Sequence, residues 1–493
     1  MLFSSVSFII LFLPVTLLLY YCCPFIKGKN LILLLASLLF YAWGEPRFVL
    51  IMVCSIIANY GVGLLLGSTP PPVSPKTKFF KKKPAPKRKI FLAIGIMLNL
   101  SVLFFFKYLG FFGQMLNSLI NLFHLSGSEL AIHKFLLPLG ISFYTFQSIS
   151  YLIDVYRTPD LVQRNILDLG LFISFFPQLI AGPIVRYHDI SEQIKQRKHS
   201  LDMFSQGIER FIVGLAKNVL LANTLAEMVD GILLLPYESV PSGYLLLVIV
   251  AAMLQLYYDF SGYSDMAIGL GRMFGFRIME NFDYPLATTN SMDFWRHWHI
   301  SLFTWFRDYL YFPLGGSRKG PARQVLNTLI VFSLIGLWHG ASYNFIFFGL
   351  CCGLALMLER PVITGINNFI INKGRVIKIA NFILALLYSN LIRIVLFMFF
   401  RLDLQGALSY YSNLFNIGRK VPIPVDVLFL TDTRFYIMLV CAIAFTFPWW
   451  RKLHIPCNIL SVSIKYLLLA ALFFLSFGTL ASDAYNPFIY FRF

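Results

Sequence analysis

Long apolar stretches separated by short basic ones set the pattern of this chain. A helix needs about 20 apolar residues to cross the hydrocarbon core of a bilayer. Such runs fall near 5–24, 31–44, 47–67, 90–109, 135–153, 166–184, 208–235, 241–260, 325–341, 343–359, 378–400, 433–450 and 463–481, and each predicts a membrane helix. Two of them, 31–44 and 166–184, are short or broken by Pro177 and Pro183. These are expected to be re-entrant, which is tolerated only where protein buries the backbone.

The polar gaps give an orientation. Lys27 and Lys29 follow the first run; eight basic residues and no acid lie between Lys76 and Lys89 after the third. Arg186, Lys195, Arg197 and Lys198 make a further basic loop, and Lys373, Arg375 and Lys378 another. Placing all of them inside puts the N-terminus outside and makes 166–184 enter and leave on the cytoplasmic face. A basic run such as 76–89 can also mark nucleic-acid binding. Between two apolar runs it reads more simply as a cytoplasmic loop, 69–89, touching anionic lipid, and no nucleic-acid partner is expected.

Composition agrees with the pattern. Of 493 residues, 58% are hydrophobic and 13% charged, against roughly a quarter charged in a soluble domain. Mean hydropathy is +0.71. The expected fold class is therefore an all-α polytopic integral membrane protein, with residues 1–493 forming one transmembrane domain. The N-terminal run lacks a basic n-region and a cleavage site, so it reads as a retained span. Seven cysteines, without a CxxC pair, read as thiols packed among apolar neighbours. No GxxxxGK[ST], HExxH, GxSxG or GxGxxG with a following acid occurs, so ATP-driven transport, zinc proteolysis and serine hydrolysis lack their usual equipment.

Polar groups inside a membrane are expensive and tend to be functional, and they concentrate in a candidate catalytic region, 259–341. Asp259 and Asp265 end an apolar span. Either they cap the helix end against Arg272 or Arg277, or they organise a polar cavity. Asp293-Phe-Trp-Arg296-His297-Trp298-His299 is followed by Arg307, Asp308 and, further on, Arg318. In one helix His297 and His299 point about 200° apart, so they do not form a pair. The segment is either an amphipathic surface helix or part of a site.

Gly336-Leu-Trp338-His339-Gly340 puts a histidine deep in an apolar run. Burial favours its neutral form, which suits a base that takes a proton from a hydroxyl; a merely hydrogen-bonded core histidine is the plain alternative. Around Gln178, Pro177, Gly182 and Pro183 break a helix, either to line a cavity or only to kink. Zinc ligation by His297, His299 and His339 is not expected without a cysteine or HxxxH spacing nearby, and no metal is assigned.

The run from Asp293 to His299, continued through Arg307-Asp-Tyr-Leu-Tyr-Phe-Pro-Leu-Gly-Gly316, resembles the signature of the membrane-bound O-acyltransferase (MBOAT) superfamily in its alginate O-acetyltransferase branch. Phe40-Tyr-Ala-Trp43, Phe143-Tyr-Thr-Phe-Gln147, Ala181-Gly-Pro183, Asp259-Phe-Ser-Gly-Tyr-Ser-Asp265, Trp338-His-Gly340 and the ending Pro487-Phe-Ile-Tyr-Phe carry the same resemblance across nearly the whole chain. It implies a helical bundle with re-entrant and interfacial helices around a central tunnel. It also implies an embedded catalytic histidine, falling on His339, and a second critical residue, falling on His299.

Asp259, Asp265, Asp293, Trp298, Asp308, Trp338 and Gln178 are the expected supporting and tunnel residues. Arg296, Arg307 and Arg318 are expected to contact donor phosphates. The donor implied is acetyl-CoA or an acyl-carrier thioester, and no bound cofactor is expected. The acceptor implied is an extracytoplasmic polysaccharide, with a periplasmic or extracellular acetyltransferase as partner and the bacterial cytoplasmic (inner) membrane as location. D-alanyl transfer to teichoic acid from a carrier protein is the rival within the superfamily. A lipid-linked sugar transporter or flippase is the rival outside it, disfavoured by the lack of repeated halves.

Overall fold

The computed structural model describes residues 1–68, 86–123, 135–370, 374–452 and 458–482. Most of the basic loop 69–89, together with Lys373, Cys457 and the ending from Pro487, lies outside these residues. All regular structure among the described residues is helical. Eight helices are long and apolar enough to cross a membrane, and Phe8–Cys22 and Thr433–Phe445 are shorter apolar ones. The protein is thus an all-α, multi-pass membrane protein.

The chain divides into two compact units. The first comprises Met1–Gln206 and Leu270–Met279. It contains α1 (Leu13–Cys22), α2 (Ile26–Gly44), α3 (Val49–Ser68), α4 (Pro86–Leu103), α5 (Leu109–Leu122), α6 (Ile141–Arg157), α7 (Ile166–Ser174), α8 (Phe176–Leu179) and α9 (Tyr187–Lys195). The stretch expected to be short, 31–44, belongs to the 19-residue α2, because Lys27 to Asn30 join its first turns instead of ending the run. Asn30 is buried there and donates to Asp168 Oδ1 at 2.8 Å. The run 166–184 does break. Helix α7 ends at Ser174, and the N–H of Phe176, the first residue of α8, donates to Ser37 Oγ at 3.1 Å, with Pro177 next in line. Gly140, at φ +72°, leads into α6 where a Cβ would press on the carbonyl of Leu179. Almost every residue of α6 is then buried.

The second unit comprises Gly207–Gly269 and Glu280–Phe493. It takes most of α10 (Leu201–Ala216) and of α12 (Ser242–Met273), with α11 (Asn223–Leu233) between them. The short α13 (Ser291–His297) and α14 (Ile300–Phe306) follow, then α15 (Pro321–His339), α16 (Tyr343–Ile370) and α17 (Arg375–Phe397). Helices α18 (Leu404–Leu414), α19 (Val425–Leu430), α20 (Thr433–Phe445) and α21 (Ile459–Ala481) complete it.

Helix α12 runs through both carboxylates that were expected to end it. Its 32 residues continue because Asp265 pairs with Arg210 at 2.6 Å and Lys217 at 2.7 Å. Asp259 is met by Asn218 Nδ2 at 2.6 Å. These partners come from the α10–α11 region. Helices α15 and α16 pack backbone to backbone. A Cβ on Gly336 would collide with the carbonyl of Phe345, and one on Gly349 with that of Phe332. Small residues give membrane helices this approach, and here it fixes the end of α15 that carries His339.

Candidate active site

The segment 291–306 does not form one surface helix. Helix α13 ends at His297, whose Nδ1 lies 2.7 Å from the carbonyl of Asp293 one turn back. Helix α14 starts after His299, which sits at φ +45°, ψ +51°. A non-glycine residue in the left-handed region is strained and persists only where its surroundings hold it. Asn281 supplies the hold. Its carbonyl accepts the N–H of Ile300 at 2.9 Å, and its side-chain Oδ1 accepts the N–H of Ser301 at 3.2 Å and Ser301 Oγ at 2.8 Å.

The same oxygen fixes the chemistry of His299. Asn281 Nδ2 donates to Ser264 Oγ at 3.0 Å, and a backbone N–H can only donate, so the face toward His299 is the oxygen. His299 Nδ1, 3.1 Å from it, must therefore carry the proton. In the neutral ring the other nitrogen is then a bare acceptor. That nitrogen, Nε2, is buried and has no hydrogen-bond partner among the described residues. Burial pushes the wholly buried His299 imidazole well below its ordinary range, and nearby His339 pushes it the same way. His299 is held as a neutral base with one open lone pair.

His339 is the last residue of α15, is 8% exposed, and packs on Phe400 with ring centroids 4.8 Å apart. Its ring centroid lies 6.4 Å from that of His299. Both rings line a narrow slit together with Trp295, Trp298, Phe332 and Phe400. Its free space is about 10 Å³, room for roughly one water. Trp338 stands beside the pair, 6.0 Å from His299, and Trp298 stacks on Phe294 at 5.4 Å. These four residues, His299, His339, Trp298 and Trp338, are the expected site residues that the fold brings together.

The others lie in separate settings. Asp293 accepts from Asn290 Nδ2 at 2.8 Å and pairs with exposed Arg296 at 3.2 Å. Asp308 pairs with its neighbour Arg307 at 2.7 Å. Arg318 is exposed. Gln178, in the first unit, is fully buried; its Nε2 donates to the carbonyl of Phe172 at 2.7 Å, and its Oε1 has no partner among the described residues. The side chain that orients His299 is an amide, that of Asn281. Sequence reasoning passed over Asn281 because nothing in its spacing from His299 marks the contact. No group of three His, Cys, Asp or Glu side chains able to hold a metal occurs among the described residues.

Comparison with known proteins adds family to geometry. Residues 160–400 match the model of the MBOAT, membrane-bound O-acyltransferase family. The chain is 36% identical, over the full length of both proteins, to "Probable alginate O-acetylase AlgI" of Pseudomonas putida. It is 32% identical to "Peptidoglycan O-acetyltransferase" of Helicobacter pylori, over 85% of this chain and 80% of that one. Similarity to "Teichoic acid D-alanyltransferase" of Bacillus subtilis is 27%, over 44% of this chain and 58% of that one. The matched interval holds Asn281, His299 and His339 alike, and the chain belongs to the membrane-bound O-acyltransferase family.

Proposed function

We propose that this O-acyltransferase moves an acetyl group from a cytoplasmic thioester, acetyl-CoA or an acyl-carrier thioester, through the bacterial inner membrane for O-acetylation of an extracytoplasmic polysaccharide. The observation that carries the reading is the paired imidazoles of His299 and His339 on one buried slit, with His299 held in its acceptor tautomer. The full-length likeness to an alginate O-acetylase supports acetyl as the acyl group.

In this reading His339 takes the proton of the attacking hydroxyl as the O–C bond forms. It returns the proton to the departing thiolate as the C–S bond breaks, so the transfer consumes no external acid or base. An imidazolium formed at His339 faces the negative end of the α15 dipole, which favours it. The hydroxyl's one hydrogen goes to His339, so His299 Nε2, which can only accept, orients the acceptor molecule through a second donor beside that hydroxyl. The slit must open for the acetyl group, and its aromatic walls are the parts that part. Exposed Arg296, Arg307 and Arg318 are available to donor phosphates. A separate extracytoplasmic transferase completes delivery to the glycan. Transfer of D-alanine from a carrier protein is the alternative; its relatives align over under half of this chain.

The test is direct. Membranes containing the protein and labelled acetyl-CoA should transfer label to an extracytoplasmic acceptor. His339→Ala and His299→Ala should each lower transfer by about 10²–10⁴-fold at unchanged protein level. Undiminished transfer by His339→Ala would sink the assignment, and consumption of only a carrier-bound aminoacyl thioester would favour the alternative.

A further inference from the structure

In the first unit a cavity of about 340 Å³ opens beside Tyr21, His199, Ser200, Leu201 and Phe204, far along the chain from either histidine of the slit. Two cations converge on its rim. Lys29 Nζ lies 5.1 Å from the ring centroid of Tyr20 and 5.4 Å from that of Tyr21. The Arg197 guanidinium lies 5.6 Å from the same Tyr20 ring and 4.4 Å from Phe276. Neither forms an ion pair with a carboxylate among the described residues. Arg197 Nη1 donates to Asn30 Oδ1 at 2.7 Å and Nε to Tyr20 Oη at 2.8 Å, while Nη2 is buried without an acceptor. A buried charged donor left unmet is costly. The acid this network reaches, Asp168, is held one amide away through Asn30.

His199 registers the resulting field. It sits between these groups, 2.8 Å from Tyr20 Oη. Burial and the charges of Lys29 and Arg197 push its imidazole down to about 4. The site is therefore electropositive without a proton on its histidine. The surroundings are apolar and face outward: Leu18, Leu19, Phe25 and Leu201 are all more than half exposed. Tyrosine and lysine beside exposed aliphatic side chains mark a membrane interface. A ligand for this place needs an anionic head for Lys29 and Arg197 and an apolar body for the cavity beside Tyr21, Leu201 and Phe204.

We propose that this cavity binds the phosphate of an anionic phospholipid, with the headgroup between Lys29 and Arg197 and an acyl chain along Leu201 and Phe204. Basic pockets between membrane helices hold anionic lipids in this way. The other source of the same phosphate chemistry is the nucleotide end of the coenzyme donor, and the experiment separates the two.

Full-length protein, purified in neutral detergent, is titrated with phosphatidylglycerol, phosphatidylcholine or coenzyme A, and adducts are counted by native mass spectrometry. Phosphatidylglycerol should bind in preference to phosphatidylcholine. Lys29→Gln, which breaks no protein hydrogen bond, should weaken that binding by about fivefold, the contribution of one basic residue near a charged surface. Lys29→Arg should restore it, and exposed Lys89→Gln should leave it unchanged. If coenzyme A displaces the lipid in the native protein but not in Lys29→Gln, the phosphate site stands and the donor is its ligand. Equal binding of both lipids, or lipid and coenzyme binding indifferent to Lys29→Gln, overturns the proposal. Acetyl transfer by His339 is read separately, so loss of one reading leaves the other intact.

Discussion

Each unit holds a histidine whose charge is set by the side chains around it, and the two are chemical opposites. In the first unit His188 Nδ1 lies 2.8 Å from Asp154 Oδ2, and Nε2 lies 3.2 Å from Asp189 Oδ1. Hydrogen bonds to these two carboxylates raise its imidazole to about 9, so it carries a proton at neutral pH. In the second unit His299 Nδ1 lies 3.1 Å from an amide oxygen, that of Asn281, and burial drives it the other way. A carboxylate partner compensates an imidazolium, whereas a neutral oxygen fixes the tautomer without compensating charge. A carboxylate in place of that amide would have made a second His188. The amide fixes the tautomer and leaves burial to keep the ring neutral.

Asn281→Asp tests that difference most severely. The carboxylate can still accept from Ser301 and His299, and the Ser264 hydroxyl can turn to donate, so the fold should hold. His299 should then be held as a cation, as His188 is, and give up its proton only at higher pH. Acetyl transfer should fall at neutral pH and recover as the pH rises. A rate profile with the wild-type pH dependence would show that the protonation of His299 is immaterial.

Asn281→Ala sharpens the same point with a smaller effect. It removes the oxygen but adds no charge, so His299 stays neutral while its tautomer and the strained turn at 299 lose their hold. Transfer should drop about tenfold with no displacement of the pH profile, and a buried N–H left unmet should cost about 1–3 kcal/mol of stability. Measuring kcat against pH for both variants separates charge from geometry. A displaced profile in the alanine variant would place the control elsewhere.

The span pattern and the position of His339 were legible in the sequence because both rest on local signals. Apolar length gives the helices, and Gly336 one turn before His339 gives the close packing of α15 on α16. The rest of the site depends on distant contacts. Asn281, Ser264 and Ser301 meet His299 only through the fold, and no helical or strand period links them. The left-handed turn at His299 was equally hidden, since local propensity disfavours it there. Helix α12 passes Asp259 and Asp265 for the same reason: the amide that meets the first and the cations that meet the second sit dozens of residues earlier.

The smallest effect comes from making His188 resemble His299. Its folded value of about 9 lies above the ordinary 6.5, so the folded protein binds this proton more tightly than the unfolded chain does. The stabilisation is fully present below pH 6.5 and is lost as the pH rises through 9. The side chain is 40% exposed, so solvent screening reduces the contribution to about 1 kcal/mol. Asp154→Asn removes the stronger carboxylate partner while leaving Asp189 and Arg186 in place. Its thermal midpoint in detergent should fall below wild type at about pH 6 and match it at about pH 10, with acetyl transfer unchanged. An equal deficit at both pH values would mean that Asp154 acts through packing or its bond to the His188 N–H, not through charge. The opposition between the two histidines would then rest on His299 alone.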